Sequence, residues 1–230
     1  MPAGSTPTQT TTTVDRYLET IYCIAGEGET VRPSRLAAWL GVAAPTVSDA
    51  LQRLVRDGWI EVAADRSVTL TDEGERLASN IVRRHRVLER WLVDVLAFDW
   101  ATADVEADGL SSAFSEAVID RLDLSMGSPT TCPHGNAIPG RVPSYGTLVA
   151  LADLEPGTTA RVRRISEVAE HEARTLLKTL ADHGIKEATV VEVVADAADP
   201  AMLSVASDGR TFSVAIDAAA WIWVEREPTR

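Results

Sequence analysis

The residues in this chain best placed to do chemistry are His85 and Glu89. They stand four apart in Arg84-His-Arg-Val-Leu-Glu-Arg90, a stretch with helical apolar spacing, so both side chains leave one helix face and can grip one cation from adjacent turns. By itself such a pair is more often a solvated surface contact. A second set is Thr46, Ser48 and Asp49, which open a short helix that continues through Arg53 and Arg56. Hydroxyls and guanidinium groups so arranged suit contacts to phosphates and base edges. Cys23 and Cys132 form no CxxC pair and read as small buried residues in a reducing compartment. No HExxH, GxSxG, P-loop or GxGxxG stretch is present, so the chain reads as no enzyme, with no small-molecule substrate.

The elements that must position these residues follow from periodicity. Tyr17, Leu18, Ile21, Tyr22 and Ile24 fall at helical spacing before Gly26 and Gly28. A short helix starting near Ser34 stops at Gly41, and another begins around Pro45, with Val47, Leu51, Leu54 and Val55 as its apolar stripe. Two short helices across a tight glycine turn make a helix-turn-helix, and the alternating runs from Trp59 and from Ser67, around Asp65-Arg66, make a wing. Thr71 then caps a long helix with an acidic first turn, which has surface to spare for dimerisation. One or two helices follow between Ala101 and Leu124.

From Gly127 to Gly146 four prolines forbid extended regular structure, and this segment reads as a linker. The tail reads as a strand from Thr158, a helix from Glu167 to His183, and three closing strands: Ala188 to Val194, Met202 to Ala206 and Thr211 to Ile216. That order suggests a small, partly open barrel.

The net charge of -12 over 230 residues argues at first against a nucleic-acid partner. Its distribution reverses the impression. Arg32 to Arg90 holds 10 Arg against 8 acidic residues, near +2, whereas Trp91 to Arg230 holds 11 basic against 22 acidic, near -11. A locally basic reading head on an acidic protein is permitted. No apolar run reaches the roughly 20 residues of a membrane span, and Met1 to Thr13 is Thr/Pro-rich without a signal-peptide pattern. The expectation is a cytoplasmic protein with a disordered leader and no membrane partner.

In this order of elements, five words resemble the diphtheria toxin repressor family of iron- and manganese-dependent regulators. They are Tyr17-Leu-Glu-Thr-Ile-Tyr22, Pro45-Thr-Val-Ser48, Leu70-Thr-Asp-Glu-Gly74, Arg84-His-Arg-Val-Leu-Glu-Arg90 and Cys132-Pro-His-Gly-Asn-Ala-Ile-Pro-Gly140. The resemblance implies a mainly α chain with small β parts. Its expected domains are a winged helix-turn-helix over 14–78, a helical dimerisation and metal-binding domain over 79–126, the linker over 127–146 and an SH3-like (FeoA-like) β-barrel over 147–230. It implies a homodimer that binds palindromic double-stranded operator DNA when loaded with metal.

By that resemblance His85 and Glu89 are joined as ligands by Asp104, where the family usually has histidine, and by Glu167 with Glu170 or His171 from the tail. Such an oxygen-rich set favours Mn(II), with Fe(II) as the alternative. The family's second site falls on Arg16, Asp108, Ser111 and Ser112, a poor cation set; either it is absent or Asp108 joins Asp104, Asp15 and Glu19 in a weaker cluster. Arg86 and Asn136 fall where some relatives bind an anion. Pro45, Thr46 and Ser48 match the family's DNA-contact word, Arg53 and Arg66 extend it, and Asp49 replaces the usual glutamine, where it could accept from a cytosine amino group. The competing expectation is a DNA-binding regulator not gated by metal, constitutive or with Cys23 or Cys132 sensing redox state.

Overall fold

The computed structural model describes residues 12–172, 174–195 and 199–227. The expected leader lies almost wholly outside them, although helix α1 (Thr12–Gly26) already begins at Thr12. The chain forms two compact units, divided after Ile81.

The first unit contains α1, α2 (Pro33–Leu40), α3 (Ala44–Arg56), the strands β1 (Ile60–Val62) and β2 (Val68–Leu70), and the first turns of α4 (Asp72–Asp94). Leu18, Ile21 and Ile24 of α1 are buried, as are Leu36, Val47, Leu51, Leu54, Ile60 and Val68. Pro33 opens α2 because its fixed φ suits a first turn and its missing N–H would have had no helical partner. Gly41 closes α2 in the left-handed region, φ 63°, returning its N–H to the carbonyls of Ala37 and Ala38. That sharp stop lets α3 start at Ala44. The antiparallel wing pairs Ile60 with Leu70 and Val62 with Val68, and the Arg32 guanidinium donates to the Asp65 carbonyl at its tip (2.7 Å). Thr71 starts α4 as expected: its hydroxyl accepts from Gly74 N (3.1 Å) and donates to Gly58 O (2.7 Å).

The second unit holds the rest of α4, α5 (Trp100–Ser111), α6 (Glu116–Ser125) and a six-stranded antiparallel sheet with its helices. Val87, Leu88 and Leu92 of α4 pack with Ala103, Ala107, Ile119 and Ile138 in one core. The sheet runs in the order β3 (Val149–Ala150), β8 (Ile222–Arg226), β4 (Thr159–Ile165), β5 (Val190–Val194), β6 (Met202–Ser207), β7 (Arg210–Ala215). Helices α7 (Glu167–Glu172) and α8 (Arg174–Asp182) follow β4, and α9 (Ile216–Ala219) precedes β8. The sheet's edges, β3 and β7, do not pair, which agrees with a partly open rather than a closed barrel.

The tail differs from expectation in its last strand. Four strands, not three, follow α8, and β8 lies inside the sheet between β3 and β4. Ala188 is outside β5 because it takes φ 69° in a turn closed by the Thr189 hydroxyl on Lys186 N (3.0 Å). The Pro-rich segment is irregular as expected, yet its middle is no solvated tether: Thr131, Cys132, His134 and Asn136 are all buried.

Candidate functional site

Helix α4 presents His85 and Glu89 one turn apart on its inner face, and α5 brings Asp104 and Asp108 alongside. His85 Nε2 lies 3.7 Å from both Glu89 Oε1 and Asp104 Oδ1, and its Nδ1 lies 3.3 Å from Asp108 Oδ1. Asp108 is mostly exposed, so it addresses the outer nitrogen of the ring and leaves Nε2 facing the interior.

The buried loop completes the site. Thr131 and Ala137 form an isolated antiparallel bridge, Cys132 N donates to Asn136 O (2.8 Å), and Gly135 N donates to Cys132 O (3.0 Å). Strand β4 holds this hairpin from one side, with Ile165 N on His134 O (2.8 Å) and the Asn136 amide on Ile165 O (3.0 Å). Arg90 holds it from the other by donating to Cys132 O (3.2 Å) while pairing with Asp94 and Glu187. Trp100 stacks edge-on against the His134 ring at 5.1 Å. His134 Nδ1 is thereby placed 3.3 Å from Glu89 Oε1 and 3.9 Å from Cys132 Sγ.

Gly135 is what lets the loop lie this close to β4. It takes φ 85°, and a Cβ added there would sit 1.8 Å from the Arg163 carbonyl oxygen. Gly135→Ala therefore combines backbone strain with a backbone clash, an expected cost of about 3 kcal/mol or more. Thermal unfolding and metal affinity should both fall. A variant with unchanged melting and metal affinity would contradict this placement of the loop.

Glu89 is the centre of the arrangement. Only 1% of its surface is exposed. Burial alone would raise its pKa, but His134 and His85 outweigh that and hold the carboxylate ionised, far below the ordinary range. Burial pushes His85 the other way, and Glu89, Asp104 and Asp108 more than reverse it, so its proton is held well above the ordinary histidine range. A buried anion facing two imidazoles is expensive unless a cation joins it. A divalent metal fits: it would displace the His85 proton and satisfy Glu89 Oε1, which accepts no hydrogen bond.

Among the described residues, two groups of donors close to within 4.8 Å of one another: His85, Glu89 and Asp104, and Glu89, Cys132 and His134. The first brings together three of the residues expected from the sequence, without Glu167. The second was not anticipated, although a Cys-x-His step inside a Pro/Gly turn is a recognisable ligand spacing. Asp108 stands beside the first group, and Ser111, at the family's second site, spends its hydroxyl on Ala107 O (2.8 Å). Glu167 is in neither group; its carboxylate accepts from Arg86 Nη2 (2.5 Å). Arg86 also donates to Ala137 O, and Asn136 accepts from Arg164 (3.3 Å), so both residues expected at an anion site are engaged with protein groups. The side chains of Glu170 and His171 lie outside the described residues.

In the first unit, Pro45, Thr46, Ser48, Asp49, Arg53 and Arg56 form the exposed face of α3, opposite buried Val47, Leu51 and Leu54, and Arg66 is exposed at the wing tip with φ 67°. This is the geometry of a helix ready to enter a major groove. Cys23 and Cys132 are both free and buried.

Comparison with known proteins covers the same three regions. Residues 9–68 match the iron-dependent repressor N-terminal DNA-binding domain, residues 71–140 its metal-binding and dimerisation domain, and residues 149–226 the FeoA domain. The iron-dependent repressor IdeR of Mycobacterium tuberculosis is 38% identical over 184 residues, 75% of this chain and 80% of IdeR. The diphtheria toxin repressor of Corynebacterium diphtheriae is 34% identical over 193 residues, 79% of this chain and 84% of that one. A solved manganese-dependent transcriptional repressor in complex with manganese superposes with a TM-score of 0.80 at 33% identity, covering 93% of this chain and all of the other.

Proposed function

The chain belongs to the diphtheria toxin repressor family of metal-dependent transcriptional repressors, and from that premise we propose that metal bound at Glu89 switches on operator binding by a homodimer. The observation that carries this reading is a buried, ionised Glu89 facing His85 and His134 at the meeting point of α4, α5 and the 131–137 loop. Metal coordination would lock these three elements together. Because α4 runs continuously from Thr71, beside the wing, to Glu89, order gained at the metal passes into the DNA-binding unit's own helix. In the dimer this fixes two reading heads about 34 Å apart, one turn of DNA. Metal thus raises operator affinity by coupling, without touching DNA.

The effector is Fe(II) in this reading. Asp104 and Glu89 alone favour Mn(II), but Cys132 and His134 add sulfur and nitrogen donors, and thiolate tips the balance towards Fe(II). Mn(II) remains the second reading, supported by the carboxylates around His85. The operator is a palindrome in a cytoplasmic genome, touched by Thr46 and Ser48 at phosphates and by Asp49 at a cytosine amino group. Among the described residues no helix is long and apolar enough to cross a membrane.

Titrating operator binding with Fe(II), Mn(II), Co(II) and Zn(II), for the native chain and for His85→Ala, tests the site and ranks the effectors. Loss of the response in the variant is expected; a full response in it would remove His85 from the site. For DNA contact, Arg53→Ala should weaken binding to all sequences alike and lower the slope of log affinity against log salt by about 1. An unchanged slope would take Arg53 off the phosphate backbone.

A further inference from the structure

We propose that Glu89 bridges two metal ions, one in an oxygen-rich pocket with His85 and Asp104, the other in a thiolate pocket with Cys132 and His134. This deepens the reading of a metal switch at Glu89 and rests on it. Four donor side chains, His85, Asp104, Cys132 and His134, surround this carboxylate, and they do not close into one group. They fall into two triads from different parts of the chain, α4 with α5 and α4 with the 131–137 loop, and Glu89 alone belongs to both.

The shared residue has the properties a bridge needs. Its carboxylate is buried, Oε1 accepts no hydrogen bond, and that oxygen lies 3.7 Å from His85 Nε2 and 3.3 Å from His134 Nδ1. The loop donors are fixed in advance by β4, Arg90 and Trp100, so the thiolate pocket is a built feature and not a chance cluster.

The two pockets differ in softness. The thiolate pocket takes Fe(II), Co(II) or Zn(II) ahead of Mn(II), while the carboxylate pocket accepts Mn(II). A bridging carboxylate also couples them, because filling the first pocket orients Glu89 for the second. The chain would read the presence of a soft and a hard ion through one residue.

Co(II) is the probe, since thiolate coordination gives a near-ultraviolet charge-transfer band that an oxygen-rich site lacks. Equilibrium dialysis with metal analysis on the full chain should find two Co(II) per chain. Cys132→Ser should lose the band and one equivalent, whereas Asp104→Ala should lose one equivalent and keep the band; circular dichroism on each variant confirms the fold. One Co(II) per chain in the native protein, or loss of the band in Asp104→Ala, would overturn the bridge in favour of a single mixed site. If that single ion still activates operator binding, the switch at Glu89 stands without the bridge. If no Co(II) binds at all, both fall.

Discussion

Replacing Glu89 by Gln is expected to abolish the metal response of DNA binding. The substitution keeps the side chain's volume and removes only the charge that His85 and His134 face across 3.7 and 3.3 Å. A neutral amide cannot balance a buried divalent ion, so the attraction that overcomes desolvation of the ion is lost from both triads at once. Operator affinity in saturating metal should fall to the level seen with chelator, a loss of up to about 100-fold if the coupling is of ordinary size. Fluorescence anisotropy of labelled duplex reads this directly. Metal-free binding should be unchanged, since Glu89 belongs to the second unit and not to the one that contains α3. A variant that keeps its metal response to within about twofold would remove Glu89 from the switch.

The second large effect concerns stability rather than metal. Asp123 on α6 is buried and accepts from Arg83 (2.9 Å) and twice from Arg141, tying α4 and the 127–146 segment to α6. Arg83 reaches Asp120 as well (2.9 Å), and Arg141 also donates to Pro129 O. Asp123→Ala leaves two guanidinium groups around an empty site. The expected cost is about 3 kcal/mol, the lower end for breaking a buried pair because both guanidiniums reach solvent. That corresponds to a fall in Tm of roughly 6–12 °C.

The pH dependence has a defined sign. Burial would raise the Asp123 pKa, but Arg141 and Arg83 outweigh it and leave it below the ordinary value. A depressed carboxylate adds stability above its unfolded pKa of about 3.9, and that stability is lost as pH falls through the lower folded value. The gap between native chain and variant should therefore persist at neutral pH and narrow only in acid below about pH 4. A gap that is equal at pH 7 and pH 3 would contradict the ion-pair origin.

How far the chain could be read without coordinates differs between its parts. The DNA-binding unit is legible because its determinants are local: Gly41 forces the turn, Pro45 suits a first helical turn, and the stripe Val47, Leu51, Leu54 fixes which face of α3 is left exposed. His85 and Glu89 were legible for the same reason, as helical spacing puts them on one face. Asp104 sits on a separate helix and was reached only through family resemblance. Cys132 reads correctly as a small buried residue, but its closeness to His134 and Glu89 is not legible, because the loop's shape depends on distant partners. Ile165 N, Arg90 and Trp100 hold it, and no periodicity within the loop encodes those contacts. Strand β8 was missed although Ile222 and Val224 alternate correctly, since the Ala-rich turn of α9 before it weakens the pattern and its burial comes from β3 and β4. Glu167 lies outside both donor groups and pairs with Arg86, a partner that its position in the sequence does not announce.

The central claim is that metal held around Glu89 gates DNA binding. Its most direct test is an anoxic anisotropy titration of the full chain against a duplex from its own promoter, run once with chelator and once with saturating Fe(II). The account predicts tight, sequence-specific binding with Fe(II) and only weak, salt-sensitive binding with chelator, with Mn(II) giving an intermediate or equal response. Equal affinity in chelator and in metal would contradict it, leaving a regulator that binds its operator without a metal signal.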